Sequence, residues 1–95
     1  MNLKGLDIYF ELESKDVLVD FLLSKGYDDF YFFPCSRYSA GALLINAQEQ
    51  VSARREYGLF RLFLHADAAQ TLADDVKSSL KNKSIKIFAR GFEEL

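Results

Sequence analysis

Tyr57-Gly58-Leu59-Phe60-Arg61-Leu62-Phe63-Leu64 is an apolar run broken by one charge, and that charge sets its parity. Successive side chains of a strand point to opposite faces. Arginine is seldom buried against a core, so Phe60, Leu62 and Leu64 are expected to pack inward. Tyr57, Leu59, Arg61 and Phe63 are then left on the outer face. Downstream, Asp67 and Gln70 have the spacing of a capping box. The helix that follows has an apolar face of Ala69, Leu72, Ala73, Val76 and Leu80 at a period of 3.6. Asn82-Lys83 turns the chain. Ile85, Ile87 and Ala89 then share the inner face of a last strand, which puts Lys86, Phe88 and Arg90 outside.

Upstream, the reading starts at Leu6, Ile8, Phe10 and Leu12, which alternate with Asp7, Tyr9, Glu11 and Glu13 as in a half-buried strand. Ser14 offers an N-cap and Asp16 an anion in the first turn. Val17, Leu18, Phe21 and Leu22 form one face of a helix that Lys25-Gly26 closes. A second strand is expected over Asp29 to Cys35, with Phe30 and Phe32 on one face and Tyr31 and Phe33 on the other. Pro34 ends its pairing or confines it to an edge. From Ser36 to Arg55 the chain is turn-like, then apolar at Ala42-Leu43-Leu44-Ile45, then polar. About twenty residues is long for a connection between two strands, and such loops are commonly functional.

The order strand, helix, strand, strand, helix, strand in 95 residues points to one α+β domain spanning 1–95. Its expected form is a ferredoxin-like βαββαβ sandwich, a four-stranded antiparallel sheet with two helices on one face. A 49% hydrophobic fraction excludes a disordered chain. The formal charge of −2 argues against a nucleic-acid binder that relies on phosphate contacts. One cysteine excludes an internal disulfide. No signal peptide and no apolar run of membrane-spanning length is visible, so a cytoplasmic location without membrane insertion is expected.

Helices on one side leave the other side of such a sheet bare. By parity the bare side carries Tyr9, Leu59, Phe63 and Phe88 together with Tyr31 or Phe33. Contiguous apolar patches of that kind mark interfaces or ligand surfaces. Burial against further subunits, stacking on RNA bases and coverage by the segment around Ile45 are the three uses that fit. The RNA alternative reads poorly in the text: Glu56 stands where the third-strand RNA motif has glycine, and Leu59 and Leu62 replace two aromatics.

Catalytic chemistry is not expected. Cys35 and His65 could act as a pair only if the fold brought them together. As metal ligands they would need symmetry, one set from each of three subunits. Acylphosphatases share the size and fold, but their glycine-rich phosphate loop is missing. Arg37, Arg54, Arg55 and Arg61 gather around the long loop, and Lys83, Lys86 and Arg90 around the last turn and strand. A cleft joining the two groups would suit an anion. A solvated surface paired with Glu49, Glu56, Glu93 and Glu94 is the alternative.

Phe33-Pro34-Cys35-Ser36, then Gly41, then Ala47-Gln48-Glu49-Gln50-Val51-Ser52-Ala53-Arg54 ahead of Phe60 resembles an uncharacterised family of PII-like proteins. These are relatives of the PII signalling proteins and of CutA. The resemblance implies a ferredoxin-like homotrimer with the sheets packed together inside. It also implies a loop that contacts a protein partner and a small ligand or metal held between subunits. Genes of that family lie beside heavy-metal efflux pumps, which implies an efflux-pump partner. Glu49, Gln50, Val51 and Arg54 match the motif, and Arg37 occupies its turn. The phosphate-cradling glycines of PII are replaced by Asn82-Lys83-Ser84. Nucleotide bound in the usual PII manner is therefore not implied, although Lys83 remains a candidate anion contact. The identity of the ligand stays open.

Overall fold

The computed structural model describes residues 2–39, 54–81 and 83–95. Strands β1 (Asn2–Glu11), β2 (Tyr31–Arg37), β3 (Arg55–Leu64) and β4 (Lys86–Glu93) and helices α1 (Lys15–Ser24) and α2 (Ala66–Ser79) follow one another as β1-α1-β2-β3-α2-β4. A single 3-10 turn, Leu12–Ser14, links β1 to α1. The strands form one antiparallel sheet in the order β2-β3-β1-β4. This is the expected ferredoxin-like α+β sandwich, with β1 and β3 central and β2 and β4 at the edges. Pro34 therefore sits on an edge strand, where its missing N–H removes no interior ladder bond.

The core is the inner row of the central strands against the two helices. Leu6, Ile8, Phe10, Phe60 and Leu62 meet Leu18 and Leu22 of α1 and Leu72 and Val76 of α2. Phe10 stacks on Phe60 with centroids 4.6 Å apart, and Phe30 meets Phe60 edge-on at 5.1 Å. Gly58 lies beneath these rings. A Cβ there would stand 2.6 Å from Phe10 and 2.8 Å from Phe32, so only glycine lets both rings close over β3.

Several local expectations shift. Val17 is exposed while Val19 packs on the core. The buried arc of α1 centres on Leu18 and Leu22, and Val17 lies a 100° step beyond its edge. His65, not Asp67, is the N-cap of α2, and no side chain caps that end. Gln70 instead donates to Asp74 one turn along, at 3.0 Å. Ser14 is the N-cap of α1 without a side-chain cap bond. β2 runs two residues later than expected at each end. Phe30 enters the core from the connection ahead of it.

Candidate functional site

In an antiparallel ladder, paired residues share a face. Across the sheet, Cys35 pairs with Tyr57, Phe33 with Leu59, and Tyr31 with Arg61 on β3. Those continue to Glu11, Tyr9 and Asp7 on β1, and Asp7 and Tyr9 meet Phe88 and Lys86 on β4. All lie on the face away from the helices. Tyr31, Phe33, Phe63 and Phe88 remain 56%, 45%, 40% and 57% exposed there. Both aromatic residues offered by β2 are on it, so the choice between Tyr31 and Phe33 resolves to both. Tyr9 meets Phe88 edge-on at 5.8 Å, Tyr31 meets Phe63 at 6.2 Å, and Phe63 meets Phe92 at 5.1 Å. Leu59 belongs to this face but is already covered by its neighbours, at 9% exposure.

Arg61 stands in the middle of the face. Its Nε donates to Asp7 Oδ1 at 2.8 Å and its Nη2 to Asp7 Oδ2 at 2.9 Å. The hydrogen bonding to Asp7 holds the guanidinium pKa above its ordinary value, against the opposing effect of burial. Two donors expected for an outside anion are thus taken by a neighbouring strand. Its guanidinium carbon also lies 5.5 Å from the centroid of Phe33.

Where β2 and β1 end and β4 begins, the face opens into a cleft of about 350 Å³. Arg37 and Lys86 bring it two positive charges, and Tyr9, Tyr57 and Phe88 give it aromatic walls. Cys35 also lines it. Tyr57 is buried, at 4% exposure. Arg37 Nη1 donates to its hydroxyl at 2.8 Å, and that hydroxyl lies 3.3 Å from Ser84 Oγ. The guanidinium also rests 5.3 Å from the Tyr57 ring centroid. A cation fixed at a cleft mouth, with a lysine opposite and rings between, can hold a small anion and a planar group attached to it.

The other predicted residues fall elsewhere. Arg37 lies in β2, paired with Arg55, so the connection begins later and ends earlier than expected. Glu49 and Gln50 lie outside the described residues, as does the apolar stretch at 42–45. Arg54 pairs with Glu56 at 2.8 Å on the surface. Lys83 lies in the exposed turn before β4, and its backbone N–H donates to Leu80 O at 2.9 Å. Arg90 rests 5.0 Å from the centroid of Phe92. Cys35 and His65 do not meet. Cys35 sits beside Tyr57 near the start of β3 and His65 follows its end, about 26 Å along the strand. A Cys–His pair within one chain is thereby overturned. Among the described residues no group of three or more His, Cys, Asp or Glu side chains is placed to hold a metal.

Phe92, Leu3, Asp29 and Ser84 are not among the expected site residues. Carrying the parity of Phe88 and Arg90 two residues further places Phe92 on the open face, and carrying that of Asp7 back places Leu3 there. The bond from Tyr57 to Ser84 has no sequence signal, since it joins residues 27 apart.

Over residues 2–94 the chain matches a family described as "Protein of unknown function (DUF3240)". No curated protein matches it in sequence. Similar folds occur in CPII from Thiomonas intermedia K12, a nitrogen regulatory PII-like protein bound to ADP, AMP and bicarbonate. The TM-score is 0.75 at 14% identity, covering 100% of this chain and 94% of that one. The apo form of CPII gives a TM-score of 0.67 at 16% identity, covering 97% and 90%. A PII-like signalling protein from Thermus thermophilus gives 0.67 at 12% identity, covering 97% and 88%. At these identities the likeness establishes a shared fold.

Proposed function

The chain belongs to the DUF3240 family and has the PII-like form of the ferredoxin fold, and from this we propose that it is a non-enzymatic PII-like regulatory protein that works as a homotrimer. The observation that carries the proposal is the bare sheet face. Four large aromatics between 40% and 57% exposed, with Tyr9 and Phe92 beside them, form a contiguous apolar patch of the kind that marks an interaction surface. Packing three such faces together removes it.

A small anionic ligand would sit between subunits at the Arg37–Lys86 cleft. CPII, bound to ADP, AMP and bicarbonate, is an example of this fold holding anions. The connection between β2 and β3, with Glu49, Gln50 and Arg54, would contact a protein partner, for which a heavy-metal efflux component is the candidate. Ligand would then favour one conformation of that connection over another through differential affinity. Among the described residues no helix is long and apolar enough to cross a membrane.

Light scattering after gel filtration, at low micromolar protein, tests the proposal. A mass of three chains is expected. A mass of one chain would overturn it, leaving the rings bare and single-stranded RNA as their candidate occupant.

A further inference from the structure

Of the two edge strands, only one is blunted. β2 carries Pro34 at its middle, and a proline there cannot donate to an added strand. β4 runs eight residues, Lys86–Glu93, without a proline, and among the described residues it pairs only with β1. Among those residues no backbone hydrogen bond reaches its outer edge. An edge of that length leaves alternate N–H and C=O groups for another strand to meet.

The ground beside that edge is open as well. Ala89 pairs with Leu6 and Ile87 with Ile8, so both lie on the helix side of the sheet, yet Ala89 is exposed there. A trough of about 360 Å³ runs between α2 and β4, with Leu6 and Ile87 as its floor and Ala69 and Ala73 as its α2 wall. Lys4 and Lys77 line it too, both exposed and without an ion-pair partner among the described residues. No carboxylate lines it among the described residues. Asp74, on the same stretch of α2, accepts from Gln70 at 3.0 Å, and Glu93 lines the separate cleft beside Phe92. The two lysines stand at opposite ends. Lys4 pairs with Leu64, just ahead of α2, whereas Lys77 lies about 16 Å along the helix from Ala66. An extended segment covers that span in about five residues, with its alternate side chains facing one way.

We propose that β4 accepts an extended segment of a protein partner as a fifth strand. Acidic side chains at the two ends of the segment meet Lys4 and Lys77, and a small apolar side chain between them enters the trough. Main-chain bonds to β4 give affinity, and the spacing acidic-x-apolar-x-acidic gives specificity. The surface lies on the helix side, so it leaves the open face to the trimer and the Arg37–Lys86 cleft to its anion.

The probe is a fluorescein-labelled, end-blocked peptide, Thr-Thr-Glu-Thr-Val-Thr-Glu-Thr-Thr, titrated with the full chain and followed by anisotropy at low salt. Saturable binding is expected, with slowed hydrogen exchange at alternate backbone amides of β4. Lys4→Glu and Lys77→Glu are each expected to weaken it about fivefold or more. Ala89→Leu, which fills the trough from an exposed position, is expected to weaken it about tenfold. Two N-methylated peptides separate strand addition from charge attraction. Methylating one set of alternate amides is expected to abolish binding, and methylating the other set to leave it within about twofold. Equal binding of both methylated peptides would overturn the proposal, as would unchanged affinity in both lysine variants or no binding by the wild type. A mass that falls when Ala89→Leu is introduced would assign the edge to a second copy of this chain and overturn it too. Light scattering on the same samples reads the trimer separately, so the failure of either reading is seen by itself.

Discussion

Asp7 and Arg61 stand opposite one another on β1 and β3 and close a two-point ion pair at 2.8 and 2.9 Å. The pair lies amid the aromatic rings of the open face. Its side chains keep 15% and 25% of their exposure, so water still reaches both. An arginine in this setting is tolerable because its charge is met by a carboxylate matched in geometry.

Removing one partner leaves the other as an unmatched charge among rings. Asp7→Ala is expected to destabilise the chain by about 1–2 kcal/mol, read as a lower urea midpoint at unchanged slope. Replacing both residues with leucine is expected to cost less than Asp7→Ala alone. An equal or greater loss in the double variant would show that the pair does more than neutralise Arg61.

Tyr57→Phe keeps the buried ring and its contact with the Arg37 guanidinium but deletes the hydroxyl that reaches Arg37 and Ser84. A hydrogen bond to a charged group contributes about 1.5–3 kcal/mol. Some of that will be recovered by water at the cleft mouth. The expected result is a fall of about 1 kcal/mol in unfolding free energy, with the fold unchanged by circular dichroism.

Gly58 and Gly5 are both roofed by rings, with different consequences. At Gly58 a Cβ meets Phe10 and Phe32, and Phe10 is fully buried with no room to move. At Gly5 a Cβ overlaps the ring of Phe92, which lies on the open face and can swing aside. Gly58→Ala is expected to cost about 2–3 kcal/mol, in the range of overpacked cores. Gly5→Ala should cost less in the monomer while displacing Phe92, which would appear as a weaker assembly.

The helix faces provide a paired check. Leu18→Ala empties a fully buried site and is expected to cost about 2–5 kcal/mol. Val17→Ala, one residue away and 44% exposed, should stay within about 0.5 kcal/mol. Comparable losses at the two positions would place the buried arc of α1 elsewhere.

The element order, the inward row Phe60-Leu62 and the outward row that Arg61 betrays are legible in the residues alone, because strand and helix periods are local properties of the chain. So is the crowding of aromatic residues on the face without helices. Element ends and the edge of a buried arc were less legible: Val17 lies a full residue step outside the arc defined by Leu18 and Leu22, and the capping spacing of Asp67 and Gln70 gave way to a helix starting at Ala66. What depends on register emerges only in the folded chain. Folding joined Asp7 to Arg61 across 54 residues and Tyr57 to Ser84 across 27, and it set Cys35 and His65 at opposite ends of β3. It also sorted Arg37 with Lys86 at one end of the face and Asp29 with Glu93 at the other. Such meetings are fixed by which strands become neighbours and how they slide into pairing. That choice is made by burial of the whole inner face, and no short stretch of the chain records it.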